Sequence, residues 1–189
     1  MNPMDQPRFL SGQFLLAMPG MADRRFDKAV IAMCSHDEDG ALGIGLGRIV
    51  PRIGFHDLLT QLDIDPGLAP EVPIHLGGPV ETQRGFILHT PDWGGDGSID
   101  VAGRWVLSAM LDILRAIAEG KGPTRWVAAL GYAGWGRGQL EQELNGHSWF
   151  ATPADESLLY DCDVKSRWEL GFRNAGIDPR LLTADFGTA

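Results

Sequence analysis

Ala129-Leu-Gly-Tyr-Ala-Gly-Trp-Gly-Arg-Gly-Gln-Leu-Glu-Gln-Glu-Leu-Asn-Gly146 is the stretch on which the reading of the chain turns. It leaves an apolar strand expected at residues 124–130 and passes four glycines in eight residues, Gly131, Gly134, Gly136 and Gly138. It then enters an amphipathic helix expected at residues 136–145. Glycines let backbone N–H groups point into a cavity, and a helix N-terminus adds about half a positive charge, so this turn has the makings of a phosphate cradle. Its spacing, G-x-x-G-x-G-x-G, is neither the Walker A pattern nor the dinucleotide fingerprint, and no Lys-Ser/Thr pair follows. The plainer expectation is a sharp strand-to-helix turn with Trp135 plugging the core. Gln139 and Glu143 are four residues apart, away from Leu140 and Leu144. They read as a solvated face, or as the wall of a pocket shared with Trp135.

Upstream, apolar runs at residues 74–76 and 84–90 straddle a seven-residue turn and are expected to pair as a hairpin. The turn opens with Gly77-Gly78-Pro79. Arg84 offers a bidentate clamp for a carboxylate or phosphate, and His89 a group able to carry a proton near neutral pH. A single strand histidine is more commonly a hydrogen-bonded structural residue. Joining the two regions gives a candidate ligand site of Gly77, Gly78, Arg84, His89, Gly134, Trp135, Gly136 and Gln139. No serine or cysteine has an evident base near it in sequence, so acyl transfer is not indicated.

The rest of the chain reads as scaffold. Residues 9–18 form an apolar strand ended by Pro19-Gly20, and residues 28–35 a second one, apolar enough to be covered on both faces. Residues 36–40 make a polar hairpin turn. In the return strand Leu42, Ile44 and Leu46 alternate with Gly43, Gly45 and Gly47, so one face carries no side chains. Such a face marks close approach by another backbone or a ligand, or, more plainly, a helix packed tightly on it.

Helices are expected at residues 55–62 and after Ser108, the latter with an apolar stripe of Met110, Ile113, Leu114 and Ile117 and a stop at Gly120. A last helix is capped by Asp163, turns Val164, Trp168, Phe172 and Ala175 inward, and stops at Gly176. Residues 99–107, 149–152 and 157–160 are further extended segments. Strands fall in neighbouring pairs without strict βαβ alternation. The expected fold is α+β, one domain over residues 1–189, with a mixed, largely antiparallel twisted sheet and three to five packed helices.

At 189 residues with 44% hydrophobic and 22% charged composition, the chain can bury a full core. No apolar run approaches the ~20 residues of a membrane span, and the start lacks a secretory pattern, so a cytoplasmic location is expected with no membrane partner. The net charge of −9 opposes a DNA-binding surface. Cys34 and Cys162 belong to no CxxC pair and read as inert thiols. Residues 34–39 (CSHDED) carry ligand-type side chains but no calcium-loop spacing, and read as a solvated hairpin tip. No metal or cofactor is expected.

Four segments together, FLLAMPGMADRRFDKAV (14–30), GALGIGLGR (40–48), HLGGPVETQRGFILHT (75–90) and ALGYAGWGRGQLEQELNGHSWF (129–150), resemble the YqgE/AlgH family. That resemblance implies a compact α+β domain in a bacterial cytosol. It brings a transcriptional-regulator label but no established reaction and no catalytic residues. The functional expectation is a non-enzymatic binding or regulatory domain acting through a small anionic ligand or a protein partner. The alternative is a hydrolase or phosphoryl-handling enzyme using Arg84 and His89.

Overall fold

The structure, a computed structural model, describes residues 9–109 and 111–182. Met110, expected on an apolar helix stripe, lies outside them. The strand beginning at Trp126 does not stop at Gly131 but continues to Gly136, because Ala129, Ala133 and Trp135 keep alternating onto buried faces. Gly131, at φ +73°, is a local irregularity within that strand rather than a turn.

In chain order the strands are β1 (Phe14–Ala17), β2 (Val30–Asp37), β3 (Gly40–Gly45), β4 (Ile49–Gly54), β5 (Pro73–Leu76), β6 (Val80–His89), β7 (Ile99–Val101), β8 (Trp105–Ser108), β9 (Trp126–Gly136) and β10 (Trp149–Thr152). The helices are α1 (Phe55–Gln61), α2 (Leu111–Ala118), α3 (Gln139–Asn145), α4 (Glu156–Tyr160) and α5 (Arg167–Asn174). The ten strands make one sheet in the order β10-β1-β2-β3-β9-β6-β8-β7, with β5 bridging β4 and β9. Every pairing is antiparallel except β5 with β9. The expected mixed, largely antiparallel α+β architecture is the one present. No helix among the described residues is long and apolar enough to cross a membrane.

Alternate residues of each strand feed opposite layers. Phe14, Leu16, Ile44, Leu88 and Trp105 pack under Leu158, Leu159 and Phe172 of α4 and α5. On the other face, Ile87 and Ala128 meet α1 and α2 through Phe55, Leu59, Ile113 and Ile117. Further along that face Leu15, Ile31, Met33, Trp135 and Trp149 close on Leu140 of α3. Each fully buried Leu, Ile or Phe contributes about 1.5–3 kcal/mol relative to exposure.

Several boundaries depart from expectation. The first strand is only Phe14–Ala17, since Gly12 turns the chain at φ +78°. Residues 157–160 are helical: the Asp155 carboxylate accepts the Ser157 N–H and starts α4, and a four-residue apolar run alone does not separate helix from strand. The last helix starts at Arg167, and Ala175 is its exposed C-cap. Ser108 ends β8 and uses its hydroxyl elsewhere, while the helix begins at Leu111.

The largest correction concerns β5 and β6. They form no hairpin, because β5 pairs with one edge of β9 and β6 with the other. Residues 77–79 therefore cross over β9 from edge to edge. Gly77 donates to the Leu130 carbonyl (2.8 Å), and Gly45 donates to the Gly77 carbonyl (2.7 Å). A Cβ on Gly77 or Gly78 would collide with the backbone of residues 131–133, and one on Gly131 would lie 2.5 Å from the Gly78 carbonyl oxygen. The glycines permit chain to lie directly on chain. The bare face of β3 is likewise closed by the protein itself and not by a helix. Gly45 lies against the carbonyls of residues 76 and 77, and Gly43 lies under Ile31 and Met33.

Candidate functional site

Beside the crossover the covering is incomplete. A cleft of about 240 Å³ opens next to it, bordered by Gly45 and Gly47 and walled by Phe26, Leu76 and Pro79. Arg25, Arg48 and Asp27 also border it. A 3-10 turn, Arg24–Phe26, forms one wall, started by Asp23, whose carboxylate accepts the Arg25 N–H at 3.0 Å. Arg25 also pairs with that carboxylate through its guanidinium at 2.7 Å, which holds Asp23 below the usual carboxylate range. Arg48 pins the turn to the end of β3, donating from Nη2 to the carbonyls of Arg24 (3.1 Å) and Asp27 (3.4 Å). It makes no ion pair among the described residues. An apolar floor edged by two guanidiniums and one carboxylate can take an apolar body bearing an anionic group.

Of the residues expected to form a site, Gly77 and Gly78 line this cleft. The segments 77–79 and 131–138 do touch, but backbone to backbone, without a cavity between them at Gly131. Gly134 and Gly136 are exposed on β9, and the Gly136 N–H is taken by the Gln139 side chain at 3.1 Å. Gln139 donates in turn to Glu143 (3.0 Å), and the other oxygen of Glu143 accepts the indole N–H groups of Trp135 (2.9 Å) and Trp149 (2.7 Å). Trp135 is 7% exposed, so this knot seals the core under α3. Glu143 is thus not a purely solvated residue. The expected phosphate cradle finds no turn at Gly131, Gly134 or Gly136, which lie within β9, and α3, which follows Gly138, has only seven residues.

Arg84 and His89 are not brought together. Arg84 is exposed, pairs with Glu81 at 3.3 Å and lies 5.2 Å from the centre of the Phe86 ring. His89 sits five positions further along β6, roughly 16 Å at strand rise, with no exposed surface. Its Nδ1 lies 2.8 Å from the Thr90 carbonyl and its Nε2 2.9 Å from Ser108 Oγ. Burial pushes its pKa down.

The residues of the 34–39 segment separate. Cys34 faces the core, where burial pushes its thiol up to about 12. His36, expected at a solvated tip, is buried: Nδ1 accepts the Leu10 N–H (3.1 Å) and Nε2 meets Glu141 (2.9 Å). Asp37 closes the turn and Asp39 pairs with Arg137. Arg25, Phe26 and Arg48 went unmarked in the sequence reading. The Gly43, Gly45, Gly47 alternation signalled the bare face, but nothing local showed which side chains border it.

A curled, mixed α+β sheet with helices on both faces and a small apolar cleft edged by arginine defines the class: a compact α+β domain built around a glycine-crossed central strand. The chain belongs to the AlgH-like family, DUF179, matching it over residues 14–180. A UPF0301 protein of Rhizorhabdus wittichii is 60% identical over 98% of this chain and 100% of its own length. One from Novosphingobium aromaticivorans is 56% identical over the same shares. The solution structure of the AlgH protein from Pseudomonas aeruginosa superposes with a TM-score of 0.80 at 36% identity, covering both chains in full. A Corynebacterium diphtheriae protein shares the fold at a TM-score of 0.73 and 23% identity, over 96% of this chain and 95% of that one.

Proposed function

We propose that this protein is a cytosolic binding domain for a small apolar anion, held in the cleft between β3 and the crossover at residues 77–79. One observation carries the reading: in a chain of net charge −9, two arginines border an apolar cavity of about 240 Å³. That volume is just under the ~300–1,000 Å³ of drug-sized pockets, which points to a ligand the size of a short-chain or aromatic carboxylate. Arg48, with Nε and Nη1 left over from its carbonyl contacts, is the residue to meet the charge. Occupancy would brace the crossover against the Arg24–Phe26 turn, and a regulatory output would pass through that surface to a protein partner. The acidic balance argues against direct DNA binding.

Titration of the 15N-labelled protein with octanoate, benzoate and inorganic phosphate tests this. Amide shifts at Gly45, Gly47, Gly77 and Gly78 are expected with the carboxylates. Arg48→Gln, which retains a donor for the carbonyls, should weaken binding about tenfold, or about 1.4 kcal/mol. If no probe moves those amides at millimolar concentration, the proposal is wrong.

A further inference from the structure

We infer that Ser108 and His89 form a nucleophile–base pair at the floor of a second cleft, where a short apolar acyl group bound as an ester or thioester would be cleaved. The pair comes from strand register. Ile87 of β6 lies opposite Ser108 of β8, so Ser108 and His89, two residues beyond Ile87, project from the same face of the sheet. They stand 19 positions apart in sequence, which hides the pairing from any local motif.

The direction of each hydrogen bond is forced. The Thr90 carbonyl can only accept, so His89 carries its proton on Nδ1 and leaves Nε2 as an acceptor. The Ser108 hydroxyl must then donate to Nε2 across 2.9 Å. Ser98, whose Oγ lies 2.7 Å from that of Ser108, donates in its turn. The neutral imidazole is thus poised to take the proton of Ser108, the arrangement a serine nucleophile needs.

Ser108 is itself only 1% exposed, and the route to it is the cleft it borders. Ser108 lines a cleft of about 140 Å³ between α1 and α2, with Leu58, Leu62, Phe86, Leu111 and Leu114 around it. Leu62 and Leu111 remain 40% and 43% exposed, apolar surface left for an occupant. Ala109 and Leu111, on either side of the start of α2, also line it.

In the reaction, Ser108 Oγ bonds to the acyl carbon while its proton passes to His89 Nε2. The bond from that carbon to the alkoxy or thio group then breaks, and the leaving group takes the proton from Nε2. Water attacks the acyl-serine ester, giving its proton to Nε2, and Ser108 Oγ regains that proton as the carboxylic acid departs. The Thr90 carbonyl holds the ring throughout. Nearby Asp92, held at about 2 by hydrogen bonds from Thr124 and Thr90, stays anionic and favours the transient imidazolium.

This cleft shares no lining residue with the arginine-bordered one, so the two proposals fail separately. The native protein is treated with a fluorophosphonate and the adduct mapped by mass spectrometry, alongside hydrolysis of p-nitrophenyl acetate, butyrate and octanoate. A single adduct on Ser108 is expected, with turnover of the shorter esters. Ser108→Ala and His89→Gln should each lower turnover by about 100-fold or more, while Arg84→Ala leaves it unchanged. Wild-type turnover should fall as the pH drops through the lowered pKa of His89. If Ser108→Ala does not fold, adduct mapping on the wild type decides. No adduct on Ser108, or turnover equal to buffer, overturns the inference.

Discussion

Arg167 Nη1 lies 3.0 Å from Nε2 of His75, placing a cation directly against an imidazole inside the protein. Arg167 is 3% exposed and His75 5%, and Arg167 meets no carboxylate among the described residues. Its remaining donors go to the carbonyls of Leu46, Leu158, Leu159 and Cys162. Nδ1 of His75 donates to the Ala128 carbonyl, leaving Nε2 to accept from Arg167. One guanidinium thereby ties the end of β3, β5 and the α4–α5 region together.

That geometry makes stability depend on acid. Burial, and then the Arg167 charge, push His75 from 6.5 down to about 4. An unfolded His75 takes up a proton below pH 6.5, whereas the folded one does so only below about 4. The folded state loses about 1.4 kcal/mol per pH unit across that window, on the order of 3 kcal/mol in all. His89, also lowered, adds in the same direction. The urea midpoint should fall between pH 7 and 4.5, and His75→Gln should flatten the slope; equal slopes would contradict this account.

Replacing Arg167 should be severe. Arg167→Met leaves four carbonyls without their donor, and a loss of about 3 kcal/mol or more is expected. Arg167→Lys keeps the charge but cannot reach all of them. Both should lower the melting temperature at neutral pH, with lysine nearer to wild type.

The crossover separates glycines by consequence. Gly78→Ala and Gly131→Ala put a methyl into backbone, and Gly131 is also at φ +73°. Each should cost about 3 kcal/mol or more or abolish soluble expression. Gly85→Ala meets nothing within 4 Å and should be neutral or stabilising by about 0.5 kcal/mol. Urea unfolding of the three variants distinguishes them.

The Glu143 knot is read by fluorescence. Glu143→Ala frees two indole N–H groups and should cost about 2–3 kcal/mol, changing the emission of Trp135 and Trp149. Glu143→Gln retains one acceptor oxygen and should lie between.

Cys34, its thiol pushed up to about 12 by burial, should resist iodoacetamide at pH 8 until the protein is unfolded. Mass spectrometry of the native and urea-treated protein counts the adducts.

The helices α1 and α2 and the β2–β3 hairpin were legible because their periodicity lies within a few residues. The course of residues 74–90 was not. A hairpin and an edge-to-edge crossover have the same local pattern, and only the arrival of β9, some forty residues later, distinguishes them. For the bare face at residues 43–47 the sequence left open a backbone, a ligand or, more plainly, a helix, and the group that lies against Gly45 is the chain's own backbone. Trp135 as a core plug followed from its size. Glu143 as the acceptor for two indoles did not, since its second partner, Trp149, comes from another strand. Of the candidate site, Gly77 and Gly78 lie at the cleft, while Arg25 and Arg48 come to it from residues 14–30 and 40–48, where the family resemblance singles out no arginine.

β9 has one further consequence, which concerns synthesis. The edges of β3, β5 and β6 that it fills are made well before residue 126, so a growing chain emerging from the ribosome carries three open strand edges with nothing to pair them. Only when residue 136 has been released can the last insertion close the structure beneath a strap already laid down. A nascent chain stalled short of that point should be a strong client for chaperones, and truncation before β9 should give aggregates rather than a smaller folded unit.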